Sequence, residues 1–286
     1  MNHFYNEKPI SNVIEYLENI LDYTEKNQKE LWYRGHRQQN WKLRPSLFRE
    51  QILDVPKDGA IHSLKYRNFL DFNKNIREFR DQLDINERDE RFNLFHYSFI
   101  AQHYGLLTPC LDWSTDPLVA LYFAIDGFNY IDDNTFPVVY ILNPSILNEN
   151  SSIYYKDSQQ AIREPFCIDD ADDRLFDKWF SDMNKTPFSV LPFAVKSNYD
   201  LKSHRISRQS GVFTLHEARY NREIELIDFK FENGEMGIAL KIAPSKVFLI
   251  KEQLKSLNLT KETIYGQEHS IFEDYTNSII KRSPKI

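Results

Sequence analysis

The chain has 286 residues, 41% of them hydrophobic and 14% aromatic, which is enough to close a sizeable core and excludes a disordered chain. With 36 basic against 42 acidic residues the formal charge is −6, which excludes a protein whose whole surface grips nucleic acid while leaving room for a local basic groove. There is no apolar run long enough to span a bilayer and no secretory stretch in Met1 to Lys8, so a cytoplasmic protein with no membrane contact is expected. Its two cysteines, Cys110 and Cys167, are too few and too far apart for a disulfide framework or a metal site, and are expected to be reduced and packed.

Residues 12–30 place Val13, Leu17, Ile20 and Leu21 among Glu, Asn and Lys, the pattern of an amphipathic helix, read as an N-terminal extension over residues 1–30. Leu31 to Gly35 is short, aromatic and bulky, a strand entering the core of a main body that runs over 31–280. The chain shows no repeat, no low-complexity linker and no domain boundary, and is read as a single domain. From Ile61 to Leu83 the apolar positions Phe69, Phe72, Ile76, Phe79 and Leu83 step by three and four, a second helix. Phe92, Phe95 and Phe99 lead a third one into Gln102 and His103, with Gly105 as its stop. Asp116 followed by Pro117 predicts a helix start, because Asp accepts from free backbone N–H groups and Pro wastes no donor in the first turn.

A strand is predicted over 137–142, further strands at 190–195, 211–215, 223–229 and 238–242, and closing helices at 244–257 and 270–280. Between 143 and 185 the pattern weakens, and the acidic run 169–173 reads as a solvated helix edge or loop. The succession predicts an α+β fold, a mixed or antiparallel sheet covered by helices.

Two segments set polar groups directly against core-forming sequence: Trp32-Tyr33-Arg34-Gly35-His36-Arg37, and Gln102-His103 followed by Leu111-Asp112-Trp113-Ser114-Thr115. A polar group there is costly unless something satisfies it, which is how a pocket reads in sequence. Arg34, Arg37, Lys42, Arg44 and Arg49 form a local basic cluster, read either as a solvated loop or as an anion site.

Tyr33-Arg34-Gly35 resembles the motif that names the FRG-domain family. The likeness continues through Leu43-Arg44-Pro45-Ser46-Leu47, Ala101 to Leu106, Leu111 to Thr115 with Pro117, Ala120, Leu121, Phe123 and Ala124, and then Arg205, Gln209, Gly211 and Phe213. It runs from about residue 30 to residue 280 and departs at Pro109, where family members commonly carry arginine. Trp113 to Ala124 also resembles the Ser-Thr-x-x-Pro-x-Val-Ala signature of ADP-ribosyltransferase-like folds.

That second resemblance implies an enzyme transferring or hydrolysing ADP-ribose from NAD, with Arg34, Thr115, Gln209 and Glu225 as catalytic residues. Tyr33, Gly35, Gln102, His103, Asp112, Ser114 and Tyr122 would line the NAD site, without a metal, and a protein or nucleic acid would be the acceptor. A guanidinium fork suits a diphosphate, glycine permits close backbone approach, and hydroxyls by a helix start suit ribose. Gln209 cannot act as a base, so a carboxylate is needed, from Asp112 or from Glu223 and Glu225 on one strand face. Structural readings stand beside these: Arg34 and Asp112 as a buried ion pair, His103 as a core histidine, and the two glutamates as a wet face. The rival function is a non-catalytic module that recognises a nucleotide or a nucleic-acid end through Arg34, Arg37 and Arg44. A bacterial stress or antiviral-defence role suits either; the sequence is silent on oligomeric state.

Overall fold

The computed structural model describes residues 6–27, 29–49, 64–83, 88–103, 105–132, 134–152, 164–180, 192–201, 204–216 and 235–266. The strand expected at 223–229, with Glu223 and Glu225, and the helix expected at 270–280 lie outside them.

The elements run α1 (Val13–Asn27), β1 (Trp32–His36), α2 (Leu64–Gln82), α3 (Leu94–His103), β2 (Cys110–Ser114), α4 (Pro117–Ile125), β3 (Val138–Leu142) and α5 (Pro144–Ser152). They continue with β4 (Phe166–Cys167), α6 (Asp173–Phe180), β5 (Phe193–Lys196), α7 (His204–Arg208), β6 (Gly211–Leu215), β7 (Gly237–Lys241), α8 (Val247–Ser256) and α9 (Lys261–Tyr265). The strands form one sheet in the order β4-β5-β6-β2-β1-β3-β7, antiparallel except for β4 beside β5. This is the α+β architecture expected from the sequence, a mixed sheet under helices.

The helices begin and end where local chemistry tells them to. Asp116 caps α4 by accepting from the N–H groups of Leu118 (2.8 Å) and Val119 (3.4 Å), and Pro117 takes the first turn, where its missing N–H costs nothing. Gly105 follows α3, its N–H returning to the Gln102 carbonyl at 2.9 Å. The stripe of α2 buries Phe72, Ile76 and Phe79, with Leu83 just past its end, each worth about 1.5–3 kcal/mol of transfer from water.

Three apolar clusters hold the sheet. One packs α2, α3 and α6 on β5 and β6 through Phe95, Phe99, Phe176, Phe180 and Phe213. A second packs α1, α4 and α8 on β1, β3 and β7 through Tyr16, Ile20, Leu121, Ile141 and Ile250. The third, with Trp32, Trp113, Tyr140 and Leu147 of α5, spans strands of both halves. Cys110 is buried, which pushes its thiol up to about 12; neither cysteine is bridged.

The acidic run is the loop leading into α6, with Asp170 and Asp172 exposed as the sequence suggests, but Asp169 and Asp173 are engaged. Asp169 accepts from Ser197 Oγ (2.6 Å) and the Asn198 N–H (2.9 Å) and lies 3.2 Å from His96 Nε2. Asp173 accepts from the Leu94 N–H (2.9 Å) at the start of α3 and pairs with Arg80 at 3.0 Å. Tertiary donors turn these carboxylates inward, and charge composition carries no trace of that.

Candidate functional site

The sheet carries a split at its centre. Five register pairs join β1 to β3 and five join β2 to β6, whereas β1 meets β2 through one, Tyr33 opposite Ser114. Beyond that pair the strands part, and a cavity of about 790 Å³ lies against them. A volume of that order suits a small-molecule ligand. Its walls come from β1, the loop from Arg37 to Arg49, the end of α3, β2, α4, the turn before β6, and α9.

Arg34 bridges the parting strands. Its side chain is only 14% exposed. Its Nε donates to His36 Nε2 at 3.0 Å, and its Nη1 donates to the backbone carbonyl of Asp112 and lies 3.5 Å from the Asp112 carboxylate. The guanidinium thus satisfies a strand carbonyl. Among the described residues Nη2 has no hydrogen-bond partner. Burial lowers the Arg34 pKa, Asp112 opposes that, and the nearby charge of Arg49 adds to it; the group stays cationic.

His36 is held neutral, chiefly by burial and then by the charge of Arg34, so its Nε2 is free to accept from the guanidinium. Burial also lowers His96, and it lowers His216, whose Nε2 lies 3.0 Å from Thr214 Oγ1, to about 3. Each of these pKa values falls below the unfolded value of about 6.5, so below that pH the unfolded chain binds more protons and stability declines. His216 alone contributes about 1.4 kcal/mol per pH unit between its two pKa values. Urea midpoints should therefore fall steadily from pH 7.5 towards pH 5, and less steeply for His216→Gln; midpoints flat over that range would refute it.

Charge and ring chemistry divide the lining. Arg34, Arg37, Lys42, Arg44 and Arg49 face one carboxylate, Asp112, among the described lining residues. Tyr33, Trp41, Trp113, Phe123 and Tyr265 supply flat rings, and Asn40, Gln102 and Gln209 supply amides.

Of the residues expected from sequence, Tyr33, Arg34, Gly35, Gln102, His103, Asp112, Ser114 and Gln209 are brought together here. Several are already engaged. Ser114 Oγ donates to the Gln209 carbonyl (2.7 Å) and accepts from the Asp116 N–H (3.0 Å). Gln102 Oε1 accepts from Thr108 Oγ1. Gly35 admits the backbone of α4, not only a ligand: a Cβ there would lie 2.1 Å from the Ala120 carbonyl oxygen.

Thr115 is exposed and lines a separate cavity of about 220 Å³ with Ser197, Tyr199, Ile206 and Ser207. The chain turns as it leaves β2, with the Thr115 N–H donating to the Ser210 carbonyl at 3.0 Å. Tyr122 is buried against Phe123 and Tyr265, and those two rings reach the cavity in its place. Glu225 lies outside the described residues. Sequence reasoning passed over Asn40, Trp41 and Phe123 as site residues; Trp41, an aromatic inside the basic cluster, was the readable signal.

Residues 29–132 match the sequence model of one family. That model is the FRG domain's. The match takes in both parting strands, Arg34, the Arg37 to Arg49 loop and Asp112, so the FRG segment supplies the cationic floor and the carboxylate. Gln209, Gly211 and Tyr265 close the cavity from beyond the matched residues. No curated protein and no solved structure matches the chain. Among the described residues no group of three or more His, Cys, Asp or Glu is arranged to hold a metal ion, and no helix is long and apolar enough to cross a membrane.

Proposed function

We propose that the cavity binds a dinucleotide of the NAD class and that the FRG protein releases nicotinamide from it, passing ADP-ribose to water or to an acceptor. The observation that carries this reading is Arg34, a buried cation whose Nε and Nη1 are spent on His36 and Asp112 and whose Nη2 is left for an anion. A planar fork fixed in this way suits a diphosphate oxygen. Arg49, close enough to depress the Arg34 pKa, is a second cation for the same group. Rings of Tyr33, Trp113, Phe123 and Tyr265 offer walls for base and nicotinamide. Gln209 Nε2 is tied to the Ile264 carbonyl at 3.3 Å, which leaves Oε1 to accept from a ribose hydroxyl.

Asp112 is the described carboxylate placed to act. Its Oδ1 is buried without a hydrogen-bond partner among the described residues. As the bond between ribose C1′ and nicotinamide breaks, the electron pair leaves with nicotinamide and positive charge develops on the ribose, which a carboxylate stabilises. The oxygen of water or acceptor then bonds to C1′ and yields its proton to the same carboxylate.

Pure protein incubated with NAD, with and without protein and nucleic-acid acceptors, should release nicotinamide detectable by mass analysis. Asp112→Asn should slow release at least about 100-fold while NAD binding, measured by calorimetry, persists. Binding without release under every acceptor condition would make this a nucleotide sensor, and absence of binding would overturn the reading altogether.

A further inference from the structure

We infer that the loop from Arg37 to Arg49, at the mouth of the cavity, is a docking surface for single-stranded nucleic acid, with Trp41 as its stacking platform. The loop is pinned. Gln39 Nε2 donates to the Asn134 carbonyl and Gln39 Oε1 accepts from the Phe136 N–H, both at 2.5 Å. Leu43 is buried, the Leu47 N–H donates to the Thr108 carbonyl at 3.2 Å, and Ser46 Oγ accepts from the Thr108 N–H at 3.2 Å.

On this fixed base Trp41 stands 44% exposed. Its ring is steadied by His36, with centroids 6.2 Å apart, and by the Arg37 guanidinium, 5.9 Å from its centroid. Arg37 and Arg49 are exposed on the same loop, and Arg49 Nε is held by the Arg44 carbonyl at 2.9 Å. A ring that stacks on any base, flanked by held guanidiniums, is the chemistry that grips single strands without regard to sequence. The whole chain carries a charge of −6, so a polyanion is drawn to this loop and not to the surface at large. Among the loop side chains whose burial is described, Trp41 is the one large apolar side chain exposed, too little for insertion into lipid. The inference shares Arg49 with the proposed NAD site but needs no NAD; joined to it, the strand is the acceptor.

The test is run without NAD, so its failure and the failure of the NAD reading are separate results. Labelled DNA and RNA single strands of about ten nucleotides, with a 5′-phosphate, are titrated by fluorescence anisotropy. Binding of either strand should weaken roughly tenfold between about 50 and about 200 mM salt, as two or three phosphate contacts require. Trp41→Ala should weaken binding about tenfold. Arg37→Ala combined with Arg49→Ala should weaken it and flatten the salt dependence. All three positions are exposed, and circular dichroism checks that the variants fold. No binding at about 100 μM protein in low salt would overturn the inference. So would binding that the variants leave unchanged, or a preference for poly-glutamate or anionic vesicles over the strands.

Discussion

Replacing Gly35 with alanine is expected to destabilise the protein by more than about 4 kcal/mol or to prevent folding. The added Cβ would sit 2.1 Å from the carbonyl oxygen of Ala120, 2.4 Å from the amide nitrogen of Ala124 and 3.0 Å from its Cα. All three are backbone atoms of α4, so no side-chain rotation relieves the clash; strand and helix must separate. Ala120 and Ala124 are fully buried at this contact. Separation would therefore open the second apolar cluster, which holds α1, α4 and α8 on the sheet. Gly127→Ala is the informative control. Its backbone φ of +64° disfavours any side chain, yet the nearest obstacle is the Arg37 guanidinium at 3.2 Å, which can swing away. That substitution should cost only about 1 kcal/mol. Urea denaturation of both variants decides the matter: a Gly35→Ala protein as stable as the parent would mean that β1 does not lie on α4 in this way.

Arg34→Lys should abolish high-affinity nucleotide binding, with a loss of at least about 100-fold, and should cost about 2–3 kcal/mol of stability. Charge is kept, so a purely Coulombic role predicts little change. The geometry predicts otherwise. One ammonium cannot donate to His36 Nε2, donate to the Asp112 carbonyl and still present a planar pair of N–H groups to an anion. Stability falls because the Asp112 carbonyl and His36 Nε2 lose their donors where the strands part. The Asp112 carboxylate, with a side chain 43% exposed, adds less because water screens it. Calorimetry with NAD and urea midpoints separate the two effects. A lysine variant that binds like the parent would show that the fork is not the recognition element.

Much of the fold was legible because its signals are local. The α2 stripe, the Asp116-Pro117 start of α4 and the run of apolar residues in β3 each follow from neighbours within a few positions, and each element forms where expected. The site was legible in part. Tyr33, Arg34, Gly35, Asp112 and Gln209 converge as anticipated, yet proximity did not reveal which of their atoms remain free. Ser114 looks like a ligand hydroxyl in sequence. In the folded chain it is bonded on both sides, by the Asp116 N–H next to it and by the turn before β6, which arrives from almost a hundred residues away. Thr115 fails to share the cavity for a related reason: its backbone turns towards Ser210 as the chain leaves β2.

The sequence by itself determined α1 to α4, α8, β1, β3 and β5 to β7, the α+β class, the FRG segment and the cation at its heart, since these depend on periodicity, capping and side-chain chemistry that travel with the chain. Tertiary structure alone decided that β1 and β2 part after a single pair, that Gly35 is required by the backbone of α4, and that Asp169 and Asp173 turn inward. These outcomes rest on contacts between segments far apart in the chain, where the position of one backbone fixes which donors and acceptors its neighbour still has to offer.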